Sequence, residues 1–247
     1  MFQTGFSEMY WGNIVMLLIA GTLLYLAIAR GMEPLLLVPI GFGVLLVNLP
    51  LGDLMFPGSG TDAPGPLYII FKYVVANEII PVLIFLGLGS LTDFGPVIAN
   101  PKTLLLGAAA QFGVYFAFFA ALALGFTAAE AASIGIIGGA DGPTTIYINS
   151  KLAPHLLGIT AVAAYSYMAL VPVIQPPIIK LLTSKAERAI YMKPQIREVS
   201  KLEKVLFPIV GAVVIILLVP KSAPLIGMFM FGNLLRECGV VDRLAKT

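Results

Sequence analysis

Apolar runs of bilayer-spanning length follow one another along this chain almost without a polar interval, and that succession leaves few folds open to it. Trp11 to Ala29 is the first, with Trp11 at one interface and Arg30 at the other. Pro34 to Pro50 is shorter and reads as broken by Pro39, Gly41 and Gly43, and the Gly/Pro/Asp loop over 51–66 cannot be helical. Leu67 to Ser90 carries Lys72, Asn77 and Glu78 and is expected to bend at Pro81. Thr103 to Gly125 has small residues at 107–110 that permit close helix contact. Ala128 to Asn149 is interrupted by Gly-Gly-Ala-Asp-Gly-Pro, and Leu156 to Leu182 by Pro172, Pro176 and Pro177. Glu203 to Pro220 and Ala223 to about Cys238 complete the set. At about 20 residues per spanning helix, 247 residues have room for roughly seven or eight such segments.

Composition agrees. Hydrophobic residues are 59% of the chain and charged residues 11%, against about 45–50% and 25% in a soluble domain. No soluble interior hides that much apolar side chain, so lipid is the solvent for most of it. The expected fold class is all-α: a polytopic membrane protein with a broken or re-entrant helix at 132–149. A single membrane domain over 1–247 is expected, with a transmembrane core at 11–182, a basic loop at 180–204 and further spans within 203–238.

The net charge of +2 gives no reason to expect nucleic acid as a partner. Cys238 is the single cysteine and reads as a small packing residue. His155 is the single histidine, which excludes a multi-histidine transition-metal site. It sits in Lys151-Leu-Ala-Pro-His155, a polar interfacial connection. The first ten residues lack a basic region and no cleavage site follows, so no cleavable signal peptide is expected.

The stretch from Lys180 to Lys204 holds Lys180, Lys185, Arg188, Lys193, Arg197, Lys201 and Lys204, which places it on the cytoplasmic side. Arg30 and Lys102 favour the same side. Three apolar segments separate Lys102 from Lys180, however, and three full crossings would put them on opposite sides. The conflict disappears if the glycine-broken segment enters and leaves on one face, as irregular backbone buried in protein can.

Chemistry concentrates in Gly135-Ile-Ile-Gly138-Gly139-Ala140-Asp141-Gly142-Pro143-Thr144-Thr145-Ile146-Tyr147. Helix breakers on both sides of Asp141 bring free backbone groups of two half-helices to one carboxylate, the way discontinuous transporter helices build a cation site. Asp141, the backbone at Gly138 and Gly139, and the Thr144 and Thr145 hydroxyls form an oxygen-only set suited to Na⁺ rather than a transition metal. An ionised Asp at the centre of a spanning helix costs about 2.5–3.5 kcal/mol on insertion scales, which argues against an idle residue. The alternative is an interfacial turn in which Asp141 merely caps the next helix. Gly135/Gly139 and Gly138/Gly142 are also small-xxx-small pairs, so packing explains part of the glycine under either reading.

Further polar candidates are Tyr165, Tyr167 and Gln175 in the next span, Asn149 at the end of the broken one, and Glu78. Tyr167, Val171 and Gln175 share a helical face until Pro172 bends it. Glu78, with no basic residue one turn away, is either a pathway residue or an interfacial one. Thr92 and Asp93 read as caps or turn formers, and Asn233 with Arg236-Glu237 as a solvated helix terminus.

Four stretches together resemble the β subunit of the sodium-ion-translocating decarboxylases: GLGSLTDFGPVIANP (87–101), GIIGGADGPTTIY (135–147), AAYSYMALVPVIQPPIIK (163–180) and FGNLLRECGVVDRL (231–244). The second and third are highly specific. The resemblance implies a membrane subunit of a biotin-dependent complex in the bacterial cytoplasmic membrane. Its partners would be a soluble biotin-carrying carboxyltransferase subunit and a small single-span membrane subunit. In such complexes the β subunit decarboxylates carboxybiotin, consuming a proton and exporting Na⁺. The essential aspartate of the family falls on Asp141 and its implicated tyrosine on Tyr167. Family members continue into a second half arranged as an inverted repeat, so this chain is expected to correspond to the amino-terminal part. The short loop at 51–66 and Glu78-Ile-Ile-Pro81 are more similar to the acyl-CoA-type members than to the oxaloacetate type. Two other readings stay open on the residues alone: a secondary Na⁺-coupled solute transporter with a broken-helix site and no catalysis, and a non-catalytic membrane anchor.

Overall fold

The computed structural model describes residues 4–191, 197–241 and Arg243, and its elements are helical. Lys193 of the basic stretch and Asp242 and Leu244 of the last motif lie outside the described residues. In chain order the helices are α1 (Trp11–Arg30), α2 (Pro34–Val47), α3 (Pro66–Ile70), α4 (Ile79–Leu91), α5 (Gly95–Ala99), α6 (Leu104–Ala110), α7 (Phe112–Ala123), α8 (Ala128–Gly135), α9 (Gly142–Leu152), α10 (Leu157–Leu182), α11 (Lys185–Arg188), α12 (Lys201–Leu218) and α13 (Ala223–Cys238). Among the described residues three segments are long and apolar enough to cross a bilayer: Trp11–Arg30, Pro101–Ala123 and Pro154–Leu182. A fourth qualifies if Pro66–Val75 and Ile79–Leu91 count as one span. Large side chains such as Leu105 (69% exposed) and Phe116 (78%) face outward, an arrangement that lipid accepts and water does not.

Helix breaks fall elsewhere than the prolines suggest. α2 runs unbroken through Pro39, and α10 continues for 26 residues through Pro172, Pro176 and Pro177. Within apolar surroundings the lost backbone bonds are cheaper than exposing a whole broken turn. The third apolar run breaks at Ala76–Glu78 instead of Pro81, where Phe71–Val75 widens into a π turn and Glu78 adopts a left-handed conformation (φ 65). The small residues at 107–110 are exposed, and the close helix contact is made farther along by Gly113.

The chain divides into two compact units: residues 1–77 with 158–184, and residues 78–157 with 185–247. In the first, α1 and α2 form a hairpin turned by Gly31, whose φ of 62 suits a residue without a Cβ. The Asn13 side-chain amide donates to the Asn48 carbonyl at 2.9 Å and ties the open ends together. Ala27, Leu37 and Ala169 form its buried apolar centre.

In the second unit, α4 and α13 run in the same direction and cross in backbone contact. A Cβ at Gly89 would overlap the Phe229 carbonyl, and one at Gly232 the Leu86 carbonyl. Phe229 packs edge-on against Phe85 (5.9 Å) and Phe94 (5.6 Å). Asn233, expected at a solvated terminus, is 1% exposed, and its amide donates to the Gly89 (3.3 Å) and Thr92 (2.7 Å) carbonyls. Those carbonyls are left over at the end of α4, so the asparagine closes one helix from the side of another. Asp93 behaves as expected of a cap, accepting from the Gly95 N–H at 2.8 Å. That bond holds its carboxyl below the usual range against the opposing effect of burial, with help from Lys204 at 3.5 Å. α12 returns antiparallel to α13 through the Val219–Ser222 turn, starting from a Ser200/Glu203 capping box in which Glu203 also pairs with Arg197 at 2.6 Å.

Gly232→Ala should force α4 and α13 apart and lower stability by about 1–3 kcal/mol. Gly87→Ala, on α4 with nothing within 4 Å of the added methyl, should be neutral. Thermal unfolding of the detergent-solubilised protein compares them.

Candidate functional site

The segment that bears Asp141 is an antiparallel helix pair with the carboxylate at its tip. α8 starts at a capping box between Thr127 and Glu130 and tightens into a 3₁₀ turn over Ile136–Gly139. The chain reverses at Ala140 and Asp141 and leaves through α9. Two cross-links fix the pairing. His155 Nε2 lies 2.9 Å from Glu130 Oε1, and Asn149 Nδ2 donates to the Ser133 carbonyl at 3.2 Å. Both pairs are spaced nearly evenly about Asp141, as a hairpin requires.

Gly135, Gly138 and Gly139 act as packing residues, the part of the expectation that rested on their spacing, and none of them makes the reversal itself. The left-handed residue at the reversal is Ala140 (φ 53), not a glycine. Gly138 instead meets Gly113 of α7 so closely that a Cβ on either would overlap the other's carbonyl. Gly135 packs on Phe118 and Gly139 on Val114 in the same seam. The small-xxx-small spacing is therefore a helix contact.

Asp141 caps α9. Its Oδ1 accepts from the Thr144 N–H at 3.1 Å and its Oδ2 from the Thr144 hydroxyl at 2.6 Å. The Thr145 hydroxyl donates to the Asp141 carbonyl at 2.7 Å. Pro143 sits in the first turn, where a missing N–H costs nothing. Capping and ligand binding are not exclusive here. A carboxylate has about four lone-pair sites, and the cap uses two. Both threonine hydroxyls spend their hydrogen on Asp141, leaving their oxygens as acceptors.

Asp141 and Thr144 line a cleft of about 360 Å³ walled by Phe85 of α4, Tyr147 and Ile148 of α9, and Val219, Lys221 and Leu225 at the α12–α13 turn. Tyr147 is 5% exposed, and Lys151 lies 4.9 Å over its ring. Glu78, read from sequence as having no basic partner nearby, pairs with that Lys151 at 2.9 Å. Lys151 stands one turn after Tyr147 and was legible as its neighbour. Lys221, far along the chain, gave no local signal.

Other candidates lie apart from this cleft's lining. Thr145 and Asn149 are fully buried, and Asn149 Nδ2 spends its second hydrogen on the Thr145 carbonyl at 2.9 Å. Asn149 thus staples α9 to α8. Its Oδ1 and the Ser133 hydroxyl are buried without a hydrogen-bond partner. Tyr165, Tyr167 and Gln175 belong to the first unit. There Tyr167 and Gln175 share one face of α10 along a depression of about 220 Å³, with no interruption at Pro172.

These features define a multi-pass helical membrane protein with a carboxylate at a helix reversal. The chain belongs to the family of Na⁺-transporting oxaloacetate decarboxylase beta subunits, whose pattern matches residues 12–247. It is 56% identical over 264 residues to the methylmalonyl-CoA decarboxylase subunit beta of Propionigenium modestum, covering 99% of this chain and 66% of that protein. To the glutaconyl-CoA decarboxylase subunit beta of Acidaminococcus fermentans it is 58% identical over 245 residues, covering 99% and 63%. A probable oxaloacetate decarboxylase beta chain of Vibrio cholerae is 47% identical over 299 residues, with 98% and 69% covered. The chain therefore spans about two thirds of the length of these relatives (63–69%). The acyl-CoA types stand above the oxaloacetate type in identity, the order expected from the short 51–66 loop.

Asn149→Ala removes the bond to the Ser133 carbonyl that ties α9 to α8, together with the one to the Thr145 carbonyl, and should cost about 1–3 kcal/mol. Ser133→Ala removes only an unpaired buried hydroxyl and should leave the unfolding temperature unchanged or higher. Thermal melts of the two variants in one detergent test the assignment.

Proposed function

We propose that this chain serves as the membrane subunit of a decarboxylase complex that couples decarboxylation of carboxybiotin to Na⁺ export, with Asp141 as the site that holds Na⁺ or a proton. The observation that carries the reading is the Asp141 carboxylate, half-used by its cap, at the tip of a helix hairpin and facing a cleft. The free oxygens that border the cleft, from Asp141 and Thr144, are hard donors that suit Na⁺, and the buried Thr145 hydroxyl supports the turn from behind.

Carboxybiotin would arrive on a soluble biotin-carrying carboxyltransferase subunit, with a small single-span membrane subunit completing the complex. Loss of CO₂ breaks the bond from the biotin nitrogen to the carboxyl carbon, and that nitrogen then takes up one proton. Asp141 can supply the coupling because one carboxylate holds either Na⁺ or a proton: taking up a proton for delivery releases the ion. Tyr167 is assigned a part in the same pathway by its motif alone.

In the membrane, the hairpin α8–α9 enters and leaves on one face. Two crossings then remain between Lys102 and Lys180, and the basic residues Lys102 and Lys180 to Lys204 share the cytoplasmic side. α12 runs from that side for 18 residues, about 27 Å, to the α12–α13 turn, beside which the Asp141 cleft lies. The seven or eight apolar segments form one half of an inverted-repeat arrangement, in which such sites lie near the bilayer midplane.

Asp141→Asn in the assembled complex should abolish Na⁺-dependent decarboxylation while carboxyl transfer to biotin continues. Near-normal Na⁺-coupled turnover would leave Asp141 a helix cap and nothing more. For the topology, a cysteine placed at Ser184 or Ser200 should react with a membrane-impermeant maleimide only from the cytoplasmic side of oriented vesicles. Labelling from the opposite side alone reverses the arrangement.

A further inference from the structure

A residue of opposite charge, Lys221, is among those that line the cleft of Asp141. Lys221 reaches it from the turn between α12 and α13, more than seventy residues away along the chain. It stands between two helix ends, just past the negative end of α12, where a cation suits the helix dipole, and just ahead of the positive end of α13, where it does not. Among the described residues no carboxylate lies within 4.0 Å of its ammonium group, although Lys151, Arg197 and Lys204 all have such partners. The other walls of the cleft are largely apolar: Phe85, Ile148, Val219 and Leu225. Among the described residues Asp141 is the one carboxylate that shares this lining with Lys221.

Asp141 faces the complementary deficiency. Once Na⁺ leaves, its remaining lone pairs confront apolar walls, and Coulomb attraction between charges is strongest where water is sparse. A lysine is suited to answer this because its ammonium is a compact point charge on a flexible four-carbon stem. The volume of about 360 Å³ corresponds to about a dozen waters, enough for an ammonium group and a partly hydrated ion to exchange places.

We propose that Lys221 is a tethered counter-cation for Asp141, occupying the carboxylate when Na⁺ has left and displaced when Na⁺ binds. This rests on Asp141 being the Na⁺ site and adds a competitor to it. Lys221 then weakens Na⁺ binding from the side of the α12–α13 turn and favours release of the ion.

The test is a Na⁺ titration of decarboxylation by the whole purified complex. Lys221→Gln should lower the half-saturating Na⁺ concentration by about two- to fivefold, the range of a partly exposed ion pair. Lys221→Arg, which keeps the charge, should stay near the unmodified protein. An unchanged or raised half-saturation in Lys221→Gln overturns the proposal, as does an equal shift in Lys221→Arg. Asp141→Asn separates the two failures. If that variant loses Na⁺ activation and Lys221→Gln is silent, only the counter-cation role falls. If Asp141→Asn keeps its Na⁺ dependence, the underlying site assignment falls and takes this proposal with it. Thermal unfolding of each variant confirms that the complex remains folded.

Discussion

Lipid offers no hydrogen bonds, so a helix that stops inside it must find partners for its end groups within the protein. The reversal at Ala140–Asp141 meets that demand with its own side chains. Asp141 takes the Thr144 N–H and hydroxyl, Thr145 takes the Asp141 carbonyl, and Asn149 carries the pattern two turns on to Ser133. The glycine seam against α7 then excludes lipid from the irregular backbone of the 3₁₀ turn. What makes the break tolerable is also what presents a carboxylate to a cleft, so stability and chemistry draw on the same atoms.

The rest of the second unit is arranged around that tip. α4 supplies Phe85 to the cleft, and its position is fixed by the Gly89–Gly232 crossing and the Asn233 amide. α13 begins beside the cleft and ends among Arg236, Glu237, Lys204 and Asp93, a charged cluster at the far end of the helices. The opposite end carries Glu78–Lys151 and Glu130–His155. Ionic groups thus gather at the two ends of the helix pack, while Asp141 stands between them in apolar company. Each exposed pair contributes little to stability alone. Their value is positional, because they fix where the ends of α4, α8, α9, α12 and α13 lie.

Much of the site was legible locally. Asp141 between helix breakers, its capping of the next helix as one of two readings, and Thr92–Asp93 as turn formers all follow from short-range rules on orphan backbone groups. The prolines misled for a related reason. A proline removes one backbone bond, but whether the helix stops there depends on what surrounds it, and α2 and α10 continue. The break at Glu78 had no proline to announce it.

Apolar run length and charge scarcity by themselves determined that this is a helical membrane protein, and the motif from Gly135 to Tyr147 determined where its carboxylate would stand. Those are properties of contiguous residues, and hydrophobic length and helix capping act within a few turns. Tertiary structure decided what local rules do not reach: that Asn233 is buried rather than solvated, that Gly138 exists for Gly113, that Glu78 answers Lys151, and that Lys221 shares a cleft with Asp141. Each joins residues separated by 25 to 144 positions in the chain, and only the packing of one helix on another brings such pairs together.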